Sequence, residues 1–576
     1  MMHNRKIAEI FNEIADMIEL EDEKRIFEVR AYQKAAMTLE SMQEDVGDIL
    51  EKKGIGGLMA IPGIGKGLAD KIKEYVETGN ISKHEELKKK FPIDFAGLTR
   101  IQGMGPKRIF KLYKTLGVRN VTDLKKAAEA GKVKGLGGFG KKSEEVIQKG
   151  IRMLESGKGR MLLGNALPEA ESIIAKLSSS GLADRVELAG SARRMKETVG
   201  DLDILVISET PGKMMDFATG LPEVKEILLK GLTKTTVMLK IGITCDIRVL
   251  DKASFAAALQ YFIGNKDHNV KVRQIAIRKG YKLSEYGLFN KKGKNIARDG
   301  DGDIYEKLGL QYMEPEMREN RGEVELAAEQ KIPRLVQKED ILGDLHVHSI
   351  YSDGDNTIAE MAEKAAGMGR EYIGITDHSR SEYVAKGMDE KKFKKYSREI
   401  DAVNEAMDGR IRLLKSAETD ILKDGSLDFS RKALDSMDYV LGAIHSNLGM
   451  DKAAMTKRLI TCIEGGVVDI MAHPTGRLIN QRPPINLDLD KIFDAANKQG
   501  VVMEIDSYPN RLDLNDENIL KAREYKLKFS IDTDSHRTEH LGLMRYGVST
   551  AKRGWLQKDD VINALPYEKL LGMFKK

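Results

Sequence analysis

Cysteine and long hydrophobic runs are the two features that this sequence has least of. Only 2 of its 576 residues are cysteine, too few for a disulfide framework or for a zinc module built on cysteine ligands. No uninterrupted apolar run approaches the roughly 18 residues that a membrane span needs. No signal-peptide stretch follows the N-terminal methionines. We therefore expect a cytoplasmic protein.

A strong charge of one sign is missing as well. Lysine and arginine number 94, and aspartate and glutamate number 89, which leaves a formal net charge of +5. This balance permits nucleic-acid binding through local basic patches but does not prove it. The chain is too long for one hydrophobic core, so we expect about three to five domains.

Apolar residues near the N-terminus recur at the spacing of a helix. A short glycine motif then recurs three times within the first 150 residues. Segments near Ile61, Ile101 and Gly135 each combine a Gly-x-Gly turn with a basic helix start. The N-terminus of a helix favours an anion, whereas the alternative is a tight turn that only packs two helices. Three copies favour binding of the DNA backbone without sequence preference. The expected close-approach positions are Gly63, Gly65, Gly103 and Gly105.

Two aspartates, Asp201 and Asp203, alternate on a predicted strand in the middle of the chain. Side chains two residues apart on a strand face the same side, with Cα atoms about 7 Å apart. Such carboxylates can bridge a pair of Mg²⁺ ions, and Asp246 on another predicted strand would supply a third. Its neighbour Cys245 would then face the other way and be buried. The strands predicted here are residues 185–189, 203–207 and 236–249.

The segment Gly-Ser-Ala-Arg-Arg precedes these aspartates at residues 190–194. Gly190 and Ser191 are expected to open a turn and a helix, with Arg194 close behind. Backbone donors, a hydroxyl group and a guanidinium can together hold a triphosphate. A lone Asp-x-Asp is common on solvated strands, but Gly-Ser followed by Gly-Asp-x-Asp at residues 200–203 is far more specific.

Residues 190–205, the strand of Asp246 and Tyr-Phe-Ile-Gly at residues 261–264 resemble the nucleotidyltransferase motif of family X DNA polymerases. The resemblance spans roughly residues 1–318. It implies that Asp201, Asp203 and Asp246 bind catalytic Mg²⁺ or Mn²⁺. Core packing is the alternative for the two aromatic residues. The residues implied to contact the incoming nucleotide, its sugar or the template are Gly190, Ser191, Arg194, Arg160, Tyr261, Phe262, Gly264, Asn269 and Arg273.

Some members of this family carry a 5′-deoxyribose phosphate lyase in their first domain. Lys71 matches the position of its Schiff-base lysine, and Tyr32 matches an accompanying tyrosine. A lysine nucleophile is helped by cationic neighbours that lower its pKa. Glu28 and Gly67 stand at the supporting basic positions here, which argues against the lyase.

Histidine is rare in the chain, yet six of the 10 histidines lie in short motifs that are typical of a metal site. His346 and His348 alternate on a predicted strand and therefore face one side. Beyond them, short apolar strands alternate with helices, which favours an α/β barrel with ligands at the strand ends. Imidazole and carboxylate groups suit Zn²⁺, Mn²⁺ or Fe ions. The candidate ligands, too many for one ion, are His346, His348, Asp353, His378, Glu418, His445, His473, Asp534 and His536.

This second pattern resembles the PHP (polymerase and histidinol phosphatase) domain. The resemblance implies two or three Mn²⁺, Zn²⁺ or Fe ions with Glu418 as the bridging carboxylate. One departure is Asp506, where related sequences often have Asn. The arginines expected near strand ends, either as phosphate contacts or as surface salt bridges, are Arg477, Arg511 and Arg537.

The sequence thus predicts a multidomain protein with helical N-terminal domains that carry helix-hairpin-helix motifs, an α+β nucleotidyltransferase palm and thumb, and a C-terminal α/β, distorted TIM-like PHP barrel. The expected boundaries are 1–85 for the helical DNA-binding domain, 86–157 for the fingers-like helical domain, 158–252 for the palm, 253–318 for the thumb, 319–340 for a linker and 341–576 for the PHP domain.

The predicted function is the filling of short gaps in DNA repair, with a metal-dependent 3′–5′ exonuclease and cleavage at abasic sites in the PHP domain. The expected partners are gapped or primed DNA and dNTPs, bound by a monomer. One alternative is a phosphatase of small esters such as histidinol phosphate, with a front half that only docks on DNA. The other is a non-enzymatic scaffold that binds DNA ends.

Overall fold

The computed structural model describes residues 2–574, apart from residues 22–24, 43–44, 95–97, 99–100, 102–103, 141–142, 145–146, 149–150 and 152–159. The chain forms two compact units. The first consists of residues 1–160 and 269–274, and the second of residues 161–268 and 275–576. Among the described residues, no helix is long and apolar enough to cross a membrane.

The first unit is helical, as the apolar spacing of its sequence predicts. In its first helix, Ile7, Phe11, Ile14 and Ile18 repeat at intervals of three and four residues, and all four are fully buried in one core. That interval places them on one face of the helix. The helices of this unit are Met2–Glu21, Ile26–Ser41, Val46–Met59, Lys66–Thr78, Ser82–Lys90, Pro106–Leu116 and Val121–Glu129.

A five-stranded sheet organises the N-terminal part of the second unit, which we call the palm. Its strands, in spatial order, are Arg185–Ala189, Asp201–Ile207, Thr244–Leu250, Lys234–Leu239 and Val224–Lys230. Leu202, Ile204 and Val206 pack on one face of the sheet with Cys245, which is fully buried as predicted. Asp201 and Asp203 alternate with these residues and so lie on the opposite face.

The single strand predicted over residues 236–249 is wrong. The structure has an antiparallel hairpin there, made of Lys234–Leu239 and Thr244–Leu250. The chain reverses at Gly242, whose φ of 91° suits glycine, and the Gly242 N–H donates to the Leu239 carbonyl. The apolar residues on both sides hid this turn from the sequence pattern.

Two small two-stranded sheets and several helices complete this part of the unit. Met161–Leu162 pairs with Thr198–Val199, and a later hairpin pairs Lys282–Ser284 with Gly287–Phe289. The helices, including two 3₁₀ turns, are Leu163–Ser179, Gly190–Arg193, Pro211–Thr219, Phe255–Ile263, Lys266–Arg278, Asp301–Lys307, Pro315–Met317, Glu323–Ala328 and Lys338–Asp340.

The C-terminal part of the second unit, which we call the barrel, is built on parallel strands. They form one three-stranded and one five-stranded sheet. The strands are Gly343–Val347, Tyr372–Ile375, Arg412–Lys415, Glu418–Asp420, Leu441–Ala443, Ile470–Met471, Val502–Asp506 and Phe529–Asp532. The helices and 3₁₀ turns that follow them are Ile358–Gly367, Glu390–Ala406, Arg431–Leu434, Lys452–Glu464, Leu489–Gln499, Asp516–Glu524, Thr538–Leu543, Met544–Arg553, Lys558–Asp560, Ile562–Ala564 and Tyr567–Phe574.

Backbone hydrogen bonds join the two barrel sheets at both of their ends. At one junction the His348 N–H donates to Ser535 and the Ser535 N–H donates to His346, with N···O distances of 2.8 and 3.3 Å. At the other, the Glu418 N–H donates to the Thr376 carbonyl at 2.9 Å. The strands therefore form a closed, distorted α/β barrel, as predicted.

Palm and barrel share part of their hydrophobic core. Ile479, Leu512 and Tyr546 of the barrel are buried with the palm residues that pack on the Leu202 face of the sheet. The segment predicted as a linker is also packed, since Glu319 and Glu323 within it are buried. Palm and barrel are consequently one rigidly packed unit instead of two parts joined by a loose connection.

Candidate active sites

The structure brings all nine predicted barrel ligands together at the carboxyl ends of the strands. Four groups of three or four of them overlap, each with ligand atoms within 4.8 Å of one another. His346, His348 and Glu418 are members of two groups each. The predicted strands deliver these residues to one end of the barrel, where sites of this fold are built.

Glu418 lies at the centre of the cluster. Its Oε2 atom is 3.0 Å from Nδ1 of His378 and 3.3 Å from Nε2 of His346. Its Oε1 atom is 2.7 Å from Nε2 of His473 and 3.1 Å from Nε2 of His445. Nε2 of His348 is also 3.5 Å from Oε2. Each carboxylate oxygen thus faces a different set of imidazoles, the arrangement expected of a group that bridges two ions.

Two aspartates complete the cluster. Asp534 places Oδ1 at 3.1 Å from Nε2 of His348, and Asp353 places Oδ2 at 3.4 Å from Nε2 of His536. The backbone of Asp534 has a φ of 50°, in the left-handed region that non-glycine residues rarely adopt. Strain of this kind is retained where the surrounding structure fixes a functional geometry.

The chemistry of the donor set fits divalent cations. Both ring nitrogens of His348 and Nε2 of His346 are buried and have no partner in hydrogen-bond geometry among the described residues. Burial and the neighbouring His536 lower the pKa of His348 to about 3, so its imidazole is neutral and able to bind a metal at physiological pH. A buried nitrogen without a partner is costly, and a bound ion removes that cost.

Glu504 orients two of the ligands and was not among the predicted site residues. Its Oε1 atom is 2.6 Å from Nδ1 of His346, and its Oε2 atom accepts the backbone N–H of His473. A carboxylate behind a metal-binding imidazole fixes the ring and raises its basicity. The departure at Asp506 had drawn attention to this segment of the sequence. Only the fold shows that Glu504 contacts residues that are far away in the sequence.

The three arginines that were predicted near strand ends have different surroundings. Arg511 lines the metal cavity, with Nε at 3.4 Å from Asp506 and 3.7 Å from Asp534. Arg477 is buried in an ion pair of 2.6 Å with Glu197 of the palm. Arg537 is exposed and pairs with Asp355. Only Arg511 is therefore placed to meet a phosphate in the metal cavity.

The three predicted palm aspartates lie on neighbouring strands. Asp201–Ile207 and Thr244–Leu250 pair in parallel, and Asp203 stands directly opposite Asp246. Burial and the charges of Asp201 and Asp246 raise the pKa of Asp203 to about 7. Like charges that crowd in this way are relieved by a bound cation.

Cationic side chains also contact the third aspartate. Lys234 lies 2.8 Å and Arg248 3.2 Å from Oδ2 of Asp246, while the Thr236 hydroxyl donates to Oδ1 at 2.5 Å. The strand pairing sets these contacts, because Thr236 is the partner of Asp246 in the hairpin. Asp246 is thus oriented before any substrate binds.

Gly190 lies against Asp203 in a conformation that favours glycine. Its φ is 67°, and a Cβ atom built there would lie 2.5 Å from Oδ2 of Asp203. Ser191 follows it in the helical turn Gly190–Arg193. The predicted nucleotide motif and the predicted metal site are therefore in contact.

Arg194, a predicted nucleotide contact, is largely buried. It is 8% exposed, and its Nε and Nη1 atoms donate to Glu319 at 3.0 Å and to the Ile263 carbonyl at 2.5 Å. No hydrogen bond joins its Nη2 atom to any described residue. Arg160 is exposed and immediately precedes the strand Met161–Leu162.

The predicted sugar and template contacts lie on two successive helices. Tyr261 and Phe262 end the helix Phe255–Ile263 with their rings edge to face at 5.1 Å, and Gly264 caps it. Phe262 also receives the Arg248 guanidinium over its ring at 4.7 Å. Asn269 and Arg273 stand one turn apart on the helix Lys266–Arg278.

The first two glycine motifs of the first unit are each followed by a helix, as predicted. Gly63 has a φ of 87°, Gly65 caps the helix Lys66–Thr78, and Gly105 caps the helix Pro106–Leu116. Gly103 lies outside the described residues. In the third motif the carbonyl of Gly138 accepts from Arg108 at 3.0 Å.

The two candidate lyase residues are neighbours. The Nζ atom of Lys71 lies 6.0 Å from the centre of the Tyr32 ring and donates to the Gly67 carbonyl at 3.1 Å. Tyr32 is buried, and burial with the charge of Glu28 raises its pKa to about 12. Glu28 itself pairs with Arg25 at 2.6 Å, so this position contributes no positive charge to the Lys71 surroundings.

Known protein families match four stretches of the chain. A helix-hairpin-helix domain matches residues 2–81, a SAM-like helix-hairpin-helix tandem residues 95–153, the DNA polymerase beta thumb residues 258–319 and the PHP domain residues 344–507. A Bacillus subtilis protein described as DNA polymerase/3′-5′ exonuclease PolX is 38% identical over 566 residues, 98% of either chain. The chain belongs to the family X DNA polymerases with a PHP domain.

More distant relatives match parts of this family X chain. DNA polymerase lambda of Arabidopsis thaliana is 26% identical over 351 residues, which are 55% of this chain and 62% of the plant protein. A probable phosphatase of Thermoanaerobacter is 27% identical over 231 residues, which are 38% of this chain and 89% of the phosphatase. The relative that matches the full length is thus a polymerase, and the phosphatase matches only part of the chain.

Proposed function

We propose that this family X member is a DNA-directed DNA polymerase and 3′–5′ exonuclease that fills short gaps during DNA repair. The observation that carries the proposal is that one chain contains two separate sets of candidate metal ligands. The palm aspartates adjoin the Gly190–Arg193 turn, and nine ligands converge at one end of the barrel.

In the palm, Asp201, Asp203 and Asp246 would hold Mg²⁺ or Mn²⁺. When bound, this pair of cations supports in-line phosphoryl transfer. Gly190 and Ser191 would offer a backbone amide and a hydroxyl group to the triphosphate, and Arg194 its Nη2 atom. Asp246 would assist the primer 3′-hydroxyl. Tyr261, Phe262 and Gly264 would contact the sugar, Asn269 and Arg273 the base and template, and Arg160 the triphosphate.

In the barrel, the nine ligands would hold two or three Mn²⁺, Zn²⁺ or Fe ions around Glu418. Bound there, the ions supply Lewis-acid catalysis of phosphodiester hydrolysis. Glu504 keeps His346 in the orientation that ligation needs, and Arg511 offers a guanidinium to the phosphate in the cavity. The 3′ end of DNA, or the phosphodiester at an abasic site, would be cleaved here.

The helix starts at Gly65 and Gly105 would contact the DNA backbone, with Gly63 and Gly103 allowing close approach. Gapped or primed DNA and dNTPs are therefore the partners that we assign. A lyase at Lys71 is not part of the proposal.

The purified full-length protein tests both activities on two substrates. With Mg²⁺, a duplex with a one-nucleotide gap should be extended by the complementary dNTP and not by the others. With Mn²⁺ and no dNTP, a single strand labelled at its 5′ end should shorten from its 3′ end. Failure of either reaction in folded, metal-loaded protein refutes that half of the proposal.

The partial match to a probable phosphatase supports one alternative, a phosphatase of small phosphate esters. Histidinol phosphate should then be hydrolysed faster than a DNA 3′ end at equal concentration. The scaffold alternative predicts metal-independent binding of DNA ends with no nucleotide incorporated. The same preparation distinguishes all three functions.

A further inference from the structure

A buried ion-pair network joins the Gly190–Arg193 turn of the palm to the barrel. Its centre is Glu319, whose side chain is 7% exposed. Glu319 accepts from Nε of Arg194 at 3.0 Å through Oε1 and from the Asn265 amide at 3.0 Å through Oε2. The residue directly after the nucleotide turn is thus fixed by a buried carboxylate.

The barrel supplies a second arginine to the same carboxylate. Arg553, which ends the helix Met544–Arg553, is 3% exposed. Its Nη1 atom donates to Oε1 of Glu319 at 3.1 Å and to the backbone carbonyl of Arg194 at 2.8 Å. A barrel side chain therefore holds Arg194 twice, through its backbone and through the partner of its side chain.

The orientation of Arg553 is itself fixed from within the barrel. Its Nη2 atom donates to Asp516 at 2.6 Å, and Asp516 also accepts from Arg321 at 3.0 Å. Burial opposes the charge of Glu319, but Arg553, Arg194 and Lys196 lower the pKa of that carboxyl to about 2. In such a network, removal of one partner leaves a buried charge uncompensated, which costs far more than loss of an exposed pair.

We propose that Arg553 is a positioning residue for nucleotide incorporation, which holds the Gly190–Arg193 turn and the guanidinium of Arg194 in the geometry that accepts a triphosphate. The inference rests on the nucleotide role proposed above for Gly190, Ser191 and Arg194. Arg553 does not touch the nucleotide. Its contacts leave Nη2 of Arg194 to the substrate and make the barrel part of the polymerase site.

The test replaces Arg553 in the full-length protein and measures single-nucleotide gap filling over a range of dNTP concentrations. Arg553→Met should raise the KM for dNTP about tenfold, the effect of losing one hydrogen bond to a charged group, with a smaller change in kcat. Arg553→Lys keeps the charge beside Glu319 and should recover part of the loss. Exonuclease activity on single-stranded DNA should stay at the parent rate.

A matched control comes from the same helix. Arg545 pairs with Glu171 of the palm at 2.9 Å, at a half-buried position, and makes no ion pair with Glu319 or Asp516. Arg545→Ala therefore removes a contact between palm and barrel without changing the network, and its KM for dNTP should equal that of the parent. An equal rise of KM in Arg545→Ala and Arg553→Met would overturn the proposal, because general loosening would then explain both.

Arg194→Ala separates this inference from the function on which it rests. If Arg194→Ala leaves the KM for dNTP unchanged, the nucleotide role of Arg194 is wrong, and the inference fails with it. If Arg194→Ala raises the KM while folded Arg553→Met does not, only the positioning role is wrong. Should Arg553→Met fail to fold, Asp516→Asn weakens the hold on Arg553 and must raise the KM in its place. An unchanged KM in folded Asp516→Asn would refute the positioning role.

Discussion

The palm aspartates and the histidine cluster of the barrel are both candidate sites for divalent cations. They differ in how deeply the side chains are buried and in which neighbouring groups orient them. Asp201 is exposed, and Asp246 is held by Lys234 and Arg248. In the barrel, His346, His348 and Glu418 are at most 1% exposed, and Glu504 orients His346 from behind. From this difference in burial we expect the ions proposed for the barrel to be retained more firmly than those proposed for the palm.

The largest expected effect is the loss of polymerisation in Asp203→Ala. This change removes the carboxylate that stands opposite Asp246, and we expect a fall of about 10³-fold or more in nucleotide incorporation. Single-nucleotide extension of a gapped duplex measures it. Asp216→Ala, at an exposed palm aspartate, is the control. Parent-like extension by Asp203→Ala would show that the palm site is misassigned.

Glu418→Ala is the corresponding change in the barrel. Because Glu418 faces five imidazoles, we expect release of 3′ nucleotides to fall about 10³-fold while gap filling keeps the parent rate. His346→Ala should behave in the same way. Glu363→Ala, on the exposed barrel surface, is the control. Loss of both activities in folded Glu418→Ala would argue against two separate sites.

A smaller effect is expected from Glu504→Gln. The amide keeps the size of the side chain but no longer draws the proton of His346 as a carboxylate does, and changes of this kind cost about 10–100-fold in metal affinity. Metal content after dialysis against a weak chelator measures the loss. The mutant should lose barrel ions under conditions in which the parent keeps them. Equal retention would mean that Glu504 has no part in holding the ions.

The smallest effect is a pH dependence confined to the palm. Metal binding needs the ionised carboxylate, and the pKa of Asp203 is raised to about 7. Apparent Mg²⁺ affinity should therefore rise with pH up to about 7 and level off above it, with a loss of up to about tenfold between pH 7 and pH 6. The Mg²⁺ concentration for half-maximal gap filling, measured at pH 6, 7 and 8, checks this. A flat profile would contradict it.

The proposed ligands of both sites could be selected from the sequence because they lie in short motifs on or near predicted strands. Asp201 and Asp203 follow the two-residue alternation of a strand, and His346 and His348 do the same. Local spacing was enough for these residues. Gly190 was marked by its motif, but its proximity to Asp203 follows from the fold, because the preceding residue, Ala189, pairs with Asp203 in the sheet.

Contacts between residues far apart in the chain could not be predicted in this way. Nothing near Glu504 indicates that it meets His346, 158 residues away. Likewise, no local pattern joins Arg553 to Arg194 or Arg477 to Glu197. The hairpin at Gly242 was missed for another reason, since one glycine between two apolar strands resembles a glycine within a strand.

The backbone hydrogen bonds that close the barrel join Ser535 to His346 and His348. Both histidines are proposed ligands, and Ser535 lies between the proposed ligands Asp534 and His536. Cations bound there would bridge the first and last strands of the barrel. Removal of such ions should weaken the contact between the first and last strands, so ions proposed for hydrolysis of DNA would also stabilise the fold of the barrel.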